Sequence, residues 1–166
     1  MKTAFIIIDV QNILVETGFE TEKLLEKIAY LQEQAIKQQI EIIYIQHIET
    51  PEALTSEDWQ LSPLLKRQEN EKVFQKRHNS MFKETGLKKY LDQQGIQQLV
   101  LCGMQTEYCV DTSVKVGFEY GYKLVIPEGA VTTFGGEDIP AETLNEFYEN
   151  IWAERFADVL DYKSIF

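Results

Sequence analysis

A chain of 166 residues, 44% of them hydrophobic and 26% charged, is long enough to bury a core without disulfide or metal staples. Its 16 basic and 27 acidic residues leave a net charge of −11, a field that repels phosphate backbones and anionic membrane surfaces. Neither nucleic acid nor a membrane is therefore an expected partner. Two cysteines, Cys102 and Cys109, make no disulfide framework and read as reduced thiols of a cytoplasmic protein.

The N-terminal run Ala4–Ile8 is too short for a secretory signal. It ends in Asp9 and Gln11 rather than in a small-residue cleavage site, so it reads as a buried strand. Leu24, Ile28, Leu31 and Ala35 then recur at helical spacing, with charged residues on the other faces. A second apolar strand is expected over Ile40–Ile45. The stretch from Gln46 to Asn70 is polar, contains Pro51 and Pro63, and reads as a binding element or lid.

Val73–Phe74 is a weaker strand, followed by a helix through Leu87, Tyr90 and Leu91 that stops near Gly95. Leu99–Cys102 and Leu124–Ile126 are further apolar strands, separated by a helix carrying Val110, Val114 and Phe118 and ending before Gly121. Leu144, Phe147, Tyr148 and Ile151 predict a last helix, and Phe156–Leu160 a last weak strand. Nearly continuous Ile- and Val-rich strands alternating with helices imply a three-layer α/β/α sandwich with a mainly parallel, Rossmann-like sheet. No repeat or linker divides residues 1–166, which read as one domain.

Ligands of open α/β sheets bind beyond the carboxyl ends of the strands. Asp9 follows Ile6-Ile7-Ile8, Lys76 follows Val73-Phe74-Gln75, and Cys109 follows Leu99–Cys102 by a short turn. All three are expected on one rim. Cys109 would lie in the first turn of a helix, with Thr106 as N-cap, where free N–H groups favour a thiolate and can receive an oxyanion. Cys102 ends an apolar strand and reads as a core thiol. Spacing alone does not choose Lys76 over Arg77 or Lys72.

The blocks Ile7-Ile8-Asp9-Val10-Gln11-Asn12, Val73-Phe74-Gln75-Lys76-Arg77-His78-Asn79-Ser80-Met81-Phe82, Leu101 to Val110 and Gly121 to Ala130 are similar, in order, to the isochorismatase-like cysteine hydrolase family. That family includes nicotinamidases and carbamoyl-amide hydrolases. The resemblance implies a single hydrolase domain with Asp9 as base, Lys76 as charge partner and Cys109 as nucleophile. It further implies a cis peptide between Met104 and Gln105, and an oxyanion hole made by the backbone N–H groups of Gln105 and Cys109. A homodimer or higher homo-oligomer acting on a small-molecule amide is the corresponding expectation.

Nicotinamidases of the family hold a divalent metal through an Asp-x-His cluster and a further histidine. Here the corresponding stretch reads Gln46-His47-Ile48-Glu49, and His78 is the only other histidine. No metal and no cofactor are therefore expected, and His47 reads as a rim or internally satisfied side chain. The isochorismate-cleaving members lack the cysteine, so Cys109 points to amide chemistry through a thioester acyl-enzyme. Gln11, Trp59, Phe82, Tyr108 and Phe134 are the expected substrate-binding residues. Two other readings stand: a thiol redox sensor in which Cys102 resolves Cys109, and a family member without activity.

Overall fold

The computed structural model describes all residues from Met1 to Phe166. Seven strands form one sheet: β1 Thr3–Ile8, β2 Glu41–His47, β3 Lys72–Lys76, β4 Gln98–Met104, β5 Lys123–Pro127, β6 Val131–Thr132 and β7 Asp158–Leu160. Their order is β3-β2-β1-β4-β5-β7, with β6 paired to the end of β4, and every pairing is parallel.

Five helices cover this sheet: α1 Asn12–Thr17, α2 Thr21–Lys37, α3 Leu87–Gln93, α4 Asp111–Glu119 and α5 Ala141–Ala153. Side chains of β1 divide by parity, as a pleated strand requires. Ala4, Ile6 and Ile8 face one core with Leu87, Leu91, Val114 and Trp152 from α3, α4 and α5. Phe5 and Ile7 face the other with Leu24, Ile28, Leu31 and Ala35 of α2. The result is the three-layer sandwich that the apolar strands imply, because neither sheet face meets water.

Two elements depart from the expected helix pattern. Phe118 is 44% exposed and Phe147 58% exposed, so the apolar stripes of α4 and α5 are narrower than their spacing suggests. Phe118 instead packs edge-on against Phe156.

The connection from Gln46 to Asn70 folds into three short 3₁₀ turns over Pro51–Leu54, Glu57–Trp59 and Pro63–Leu65. Hydrogen bonds strap it to the end of β1: Asn12 N donates to Gln60 O at 3.0 Å and Ser62 N to Val10 O at 2.9 Å. Ala53, Ser62 and Leu65 are buried beneath it. The segment is thus a docked wall rather than a detached lid.

At the rim, β4 and β1 approach closely. A Cβ on Gly103 would sit 2.0 Å from the carbonyl oxygen of Ile8, and its φ of +125° is one that only glycine adopts without cost. Gly103 therefore lets the strand that leads to Cys109 run against the strand that ends in Asp9.

Candidate active site

Asp9 is the first residue beyond β1, and its amide donates to Ile45 O at 3.0 Å. Its φ of +51° turns the chain out of the strand, a conformation that Asp tolerates better than most residues. Lys76 ends β3 and pairs in register with His47, the last residue of β2. Strand alternation turns Lys76 inward, where it is 1% exposed, and leaves Arg77 on the surface. Lys72 begins the same strand, at its amino end and away from the rim. Alternation and strand polarity thus select Lys76, which spacing could not.

The Lys76 ammonium is the hub. Its Nζ lies 2.7 Å from Asp9 Oδ2, and it donates to Cys109 Sγ at 3.1 Å and to the carbonyl of His78 at 3.0 Å. His47 Nδ1 lies 3.0 Å away. These four partners share three N–H bonds, and a proton on Nδ1 would point straight at the ammonium, which disfavours that tautomer. Asp9 Oδ1 is buried and has no hydrogen-bond partner, which leaves one carboxylate oxygen unengaged.

Cys109 sits in a wide π-helical turn, Thr106–Val110, which runs directly into α4. This corrects the expected first turn of a regular helix. Thr106 is no cap either: its hydroxyl donates to Asn145 Oδ1 on α5 at 2.6 Å, tying the turn to that helix. The Met104–Gln105 peptide is cis. The Gln105 N–H makes no hydrogen bond inside the protein, while the Gln105 carbonyl accepts from Tyr108 N at 3.2 Å and Val110 N at 3.1 Å.

The charges do not favour a free thiolate at rest. Burial, then the neighbouring Asp9 carboxylate, pushes the Cys109 thiol up to about 12, against the opposing pull of Lys76. Burial likewise raises Asp9 above the ordinary carboxylate range, although Lys76 and, more weakly, the nearby Cys109 thiol work the other way. One fixed cation faces two groups that would both become anions, and the pocket stabilises only one negative charge. The two groups therefore compete for the one cation, and each carboxylate or thiolate charge makes the other harder to form. A raised Asp9 is also the better proton acceptor.

Of the expected substrate contacts, Trp59 stands beside His47, ring centroids 6.0 Å apart. Tyr108 and Phe134 are 52% and 39% exposed. Tyr108 is the neighbour of Cys109, and Phe134 follows Thr133, whose hydroxyl donates to Glu107 Oε1 at 2.8 Å in the Cys109 turn.

Two expectations need correction. Gln11 is fully buried with its amide spent on backbone: Nε2 donates to His47 O at 2.9 Å and Trp59 O at 2.6 Å, and Oε1 accepts from His47 N at 2.8 Å. It clamps the wall and has nothing left for a ligand. Phe82 is buried in the core, stacked on Tyr122 and edge-on to Tyr120, so it is not a pocket wall.

His47 and Asn79 are the residues that sequence reasoning did not place here. Asn79 Oδ1 lies 3.9 Å from Cys109 Sγ. Its only signal was its place in the Lys76-Arg77-His78-Asn79 block.

Cys102 does not serve as a resolving thiol in this fold. Its side chain joins the α2-side core, whereas Cys109 packs against the opposite core. The sheet separates them.

Asp9, His47 and Cys109 place possible ligand atoms within 4.8 Å of one another. The Lys76 ammonium already lies 2.7, 3.0 and 3.1 Å from those same three groups, so a divalent ion among them would meet a fixed positive charge. The donor set does not fit a metal. Exhaustive chelation should leave turnover unchanged; loss of activity restored by zinc would contradict this.

A parallel α/β sandwich that gathers a cysteine, an aspartate and a lysine at its carboxyl rim defines the class of fold and site. The family model for the isochorismatase domain matches residues 3–163, and the chain belongs to that family. Streptothricin hydrolase from Streptomyces noursei is 28% identical over 144 residues, covering 83% of this chain and 51% of the relative. The chain thus spans about half of that protein's length. The isochorismatase family protein YddQ of Bacillus subtilis is 29% identical over 155 residues, 86% of each chain.

Among solved structures, an isochorismatase from Pseudomonas putida superposes with a TM-score of 0.92 at 28% identity, covering 99% of this chain and 90% of that one. A nicotinamidase from Bacillus subtilis superposes with a TM-score of 0.82 at 22% identity, covering 97% of this chain and all (100%) of that one, a likeness of fold. No helix is long and apolar enough to cross a membrane.

Proposed function

We propose that the protein is a cysteine-dependent hydrolase of a small amide or carbamoyl compound, acting through a thioester acyl-enzyme. The observation that carries this reading is the Lys76 ammonium set 2.7 Å from Asp9 and 3.1 Å from Cys109 Sγ, with the second Asp9 oxygen unpartnered. The names of two similar proteins, a streptothricin hydrolase and a nicotinamidase, are in keeping with hydrolysis at a carbon–nitrogen bond.

In this mechanism the Cys109 proton passes to Asp9 as sulfur attacks the amide carbon, forming the S–C bond. Electrons of the carbonyl move to oxygen, and the unpartnered Gln105 N–H, with that of Cys109, receives the developing anion. The intermediate collapses, the C–N bond breaks, and Asp9 returns its proton to the departing nitrogen. Ammonia or an amine leaves. Asp9, again a carboxylate, takes a proton from water as its oxygen attacks the thioester. Collapse expels the Cys109 sulfur, which recovers that proton, and the carboxylic or carbamic acid departs. Throughout, Lys76 offsets whichever partner carries the negative charge, so charge migrates between Asp9 and Cys109 without leaving the site.

Asp9 and Lys76 lie almost wholly beneath the surface, so the substrate reaches only the sulfur side of the trio. Trp59, Tyr108 and Phe134 supply the aromatic walls in this reading, which suits a small, partly apolar amide. A panel of primary amides, carbamoyl compounds and nicotinamide, followed by ammonia release, tests it. Turnover of at least one member that disappears when Cys109 is alkylated is the expected result. Ammonia release that persists in the fully alkylated protein would contradict it.

A further inference from the structure

His47 is a peculiar investment for a wall residue. Both of its backbone groups are held by one buried side chain: Gln11 Oε1 accepts from His47 N at 2.8 Å and Gln11 Nε2 donates to His47 O at 2.9 Å. The same amide reaches Trp59 O at 2.6 Å, and Gln46 Nε2 reaches it at 3.0 Å. A hydrogen bond to a fully buried amide fixes a strand end far more tightly than a surface contact does. The object held in place is an imidazole with one nitrogen 3.0 Å from the Lys76 ammonium and its ring beside Trp59.

We infer that His47 is a two-ended positioning residue: its bare Nδ1 accepts from Lys76 and fixes that ammonium between Asp9 and Cys109, while its Nε2–H donates to an acceptor atom of the substrate. The tautomer follows from the first contact. Lys76 has no lone pair to accept with, so a proton on Nδ1 would face a cation at 3.0 Å, and a neutral ring then carries its proton on Nε2. Nε2 has no hydrogen-bond partner within the protein.

The ring is kept neutral by its surroundings. Burial and the Lys76 charge, with a smaller push from His78, hold His47 below the ordinary histidine range. Asp9 at the end of β1 and the exposed Glu49 just beyond β2 pull weakly the other way. The groups facing the ring are therefore Lys76, Asp9, Cys109, His78 and Glu49. Protonating it would set two cations against each other at the lysine that the reaction depends on.

The substrate end of this inference rests on the amide-hydrolase reading; the Lys76 end does not. The second end narrows the substrate to an amide that carries a hydrogen-bond acceptor next to its reacting carbon, within reach of Trp59. A bare aliphatic amide without such an atom would be a poor substrate.

Nitrogen-15 NMR of histidine-labelled protein tests the first end directly, and a chain with two histidines gives a spectrum that His78→Gln assigns. The expected signature is His47 neutral at about pH 7.5, protonated on Nε2 and bare at Nδ1, with any titration displaced below that of free imidazole. In Lys76→Met that lock should be released and the Nδ1 signal should move. A proton on Nδ1, or a signal indifferent to Lys76→Met, would overturn the inference whatever the substrate.

Kinetics on a turned-over amide separates the two ends. His47→Asn keeps an acceptor at the Nδ1 position and loses the outer donor, so KM should rise about tenfold, the scale of one neutral hydrogen bond, with kcat nearly unchanged. His47→Gln does the reverse, so kcat should fall about tenfold or more while KM holds. Equal losses in both variants, the pattern of a merely structural residue, would overturn it.

Discussion

Cys109→Ala will fold normally and lose turnover by at least about 10⁴-fold, the scale expected when a covalent nucleophile is removed. The side chain packs only at the margin of its core and leaves part of its surface open, so its loss opens little volume. What disappears is the atom that forms the thioester in the proposed mechanism, and the other thiol is not placed to substitute. Cys102 faces the α2 side of the sheet and is fully buried. Cys102→Ala should show the complementary pattern: a small cavity, about 1–2 kcal/mol of lost stability, and turnover unchanged. Thermal melts and kcat on the same two proteins check both. A Cys109→Ala protein that retains even a tenth of the activity would remove the nucleophile from the account.

Much of this molecule was legible before its structure. Strands buried on both faces leave nearly continuous Ile- and Val-rich runs, and β1, β2, β4 and β5 fall on them, while β3 and β7 fall on the weaker runs at Val73–Phe74 and Phe156–Leu160. α1 and β6 left no such mark. Asn12–Thr17 is six residues long and rich in β-branched side chains, and Val131–Thr132 is two residues paired to a strand end. Nothing in their spacing can outvote a loop.

At the site, residues that finish strands were readable because the carboxyl rim is a property of the fold. Roles that depend on three-dimensional partners were not. Gln11 looked free because a sequence does not show that His47 and Trp59 consume its amide. Phe82 looked like a wall because Tyr120 and Tyr122, which bury it, lie far along the chain. His47 looked idle because its partner arrives through the β2–β3 register. The first turn of a helix, where Cys109 was expected, favours an acidic thiol. Burial and a carboxylate neighbour outweigh that effect, a balance that only distances can set.

The second large effect concerns Asp9, and it separates thiol acidity from catalysis. In the proposed mechanism Asp9 is the base, and it is also, after burial, the main influence that pushes the Cys109 thiol up. Asp9→Asn keeps shape and removes the charge, so it should make the thiol more acidic and yet abolish acyl transfer, because the proton has nowhere to go. Lys76→Met removes the cation that supports sulfur, so it should shift the thiol further upward and also abolish transfer. Breaking a buried ion pair is itself costly, about 3–5 kcal/mol, so both variants are to be confirmed folded by circular dichroism at the assay temperature. The decisive measurement is the rate of Cys109 alkylation by iodoacetamide as a function of pH in the wild type and these two variants. The account predicts a wild-type midpoint above the unperturbed thiol value of about 8.5, a lower midpoint in Asp9→Asn and a higher one in Lys76→Met, with ammonia release lost in both. A midpoint that stays put or rises in Asp9→Asn, or one unmoved in Lys76→Met, would contradict the coupling of Asp9, Lys76 and Cys109 on which the mechanism stands.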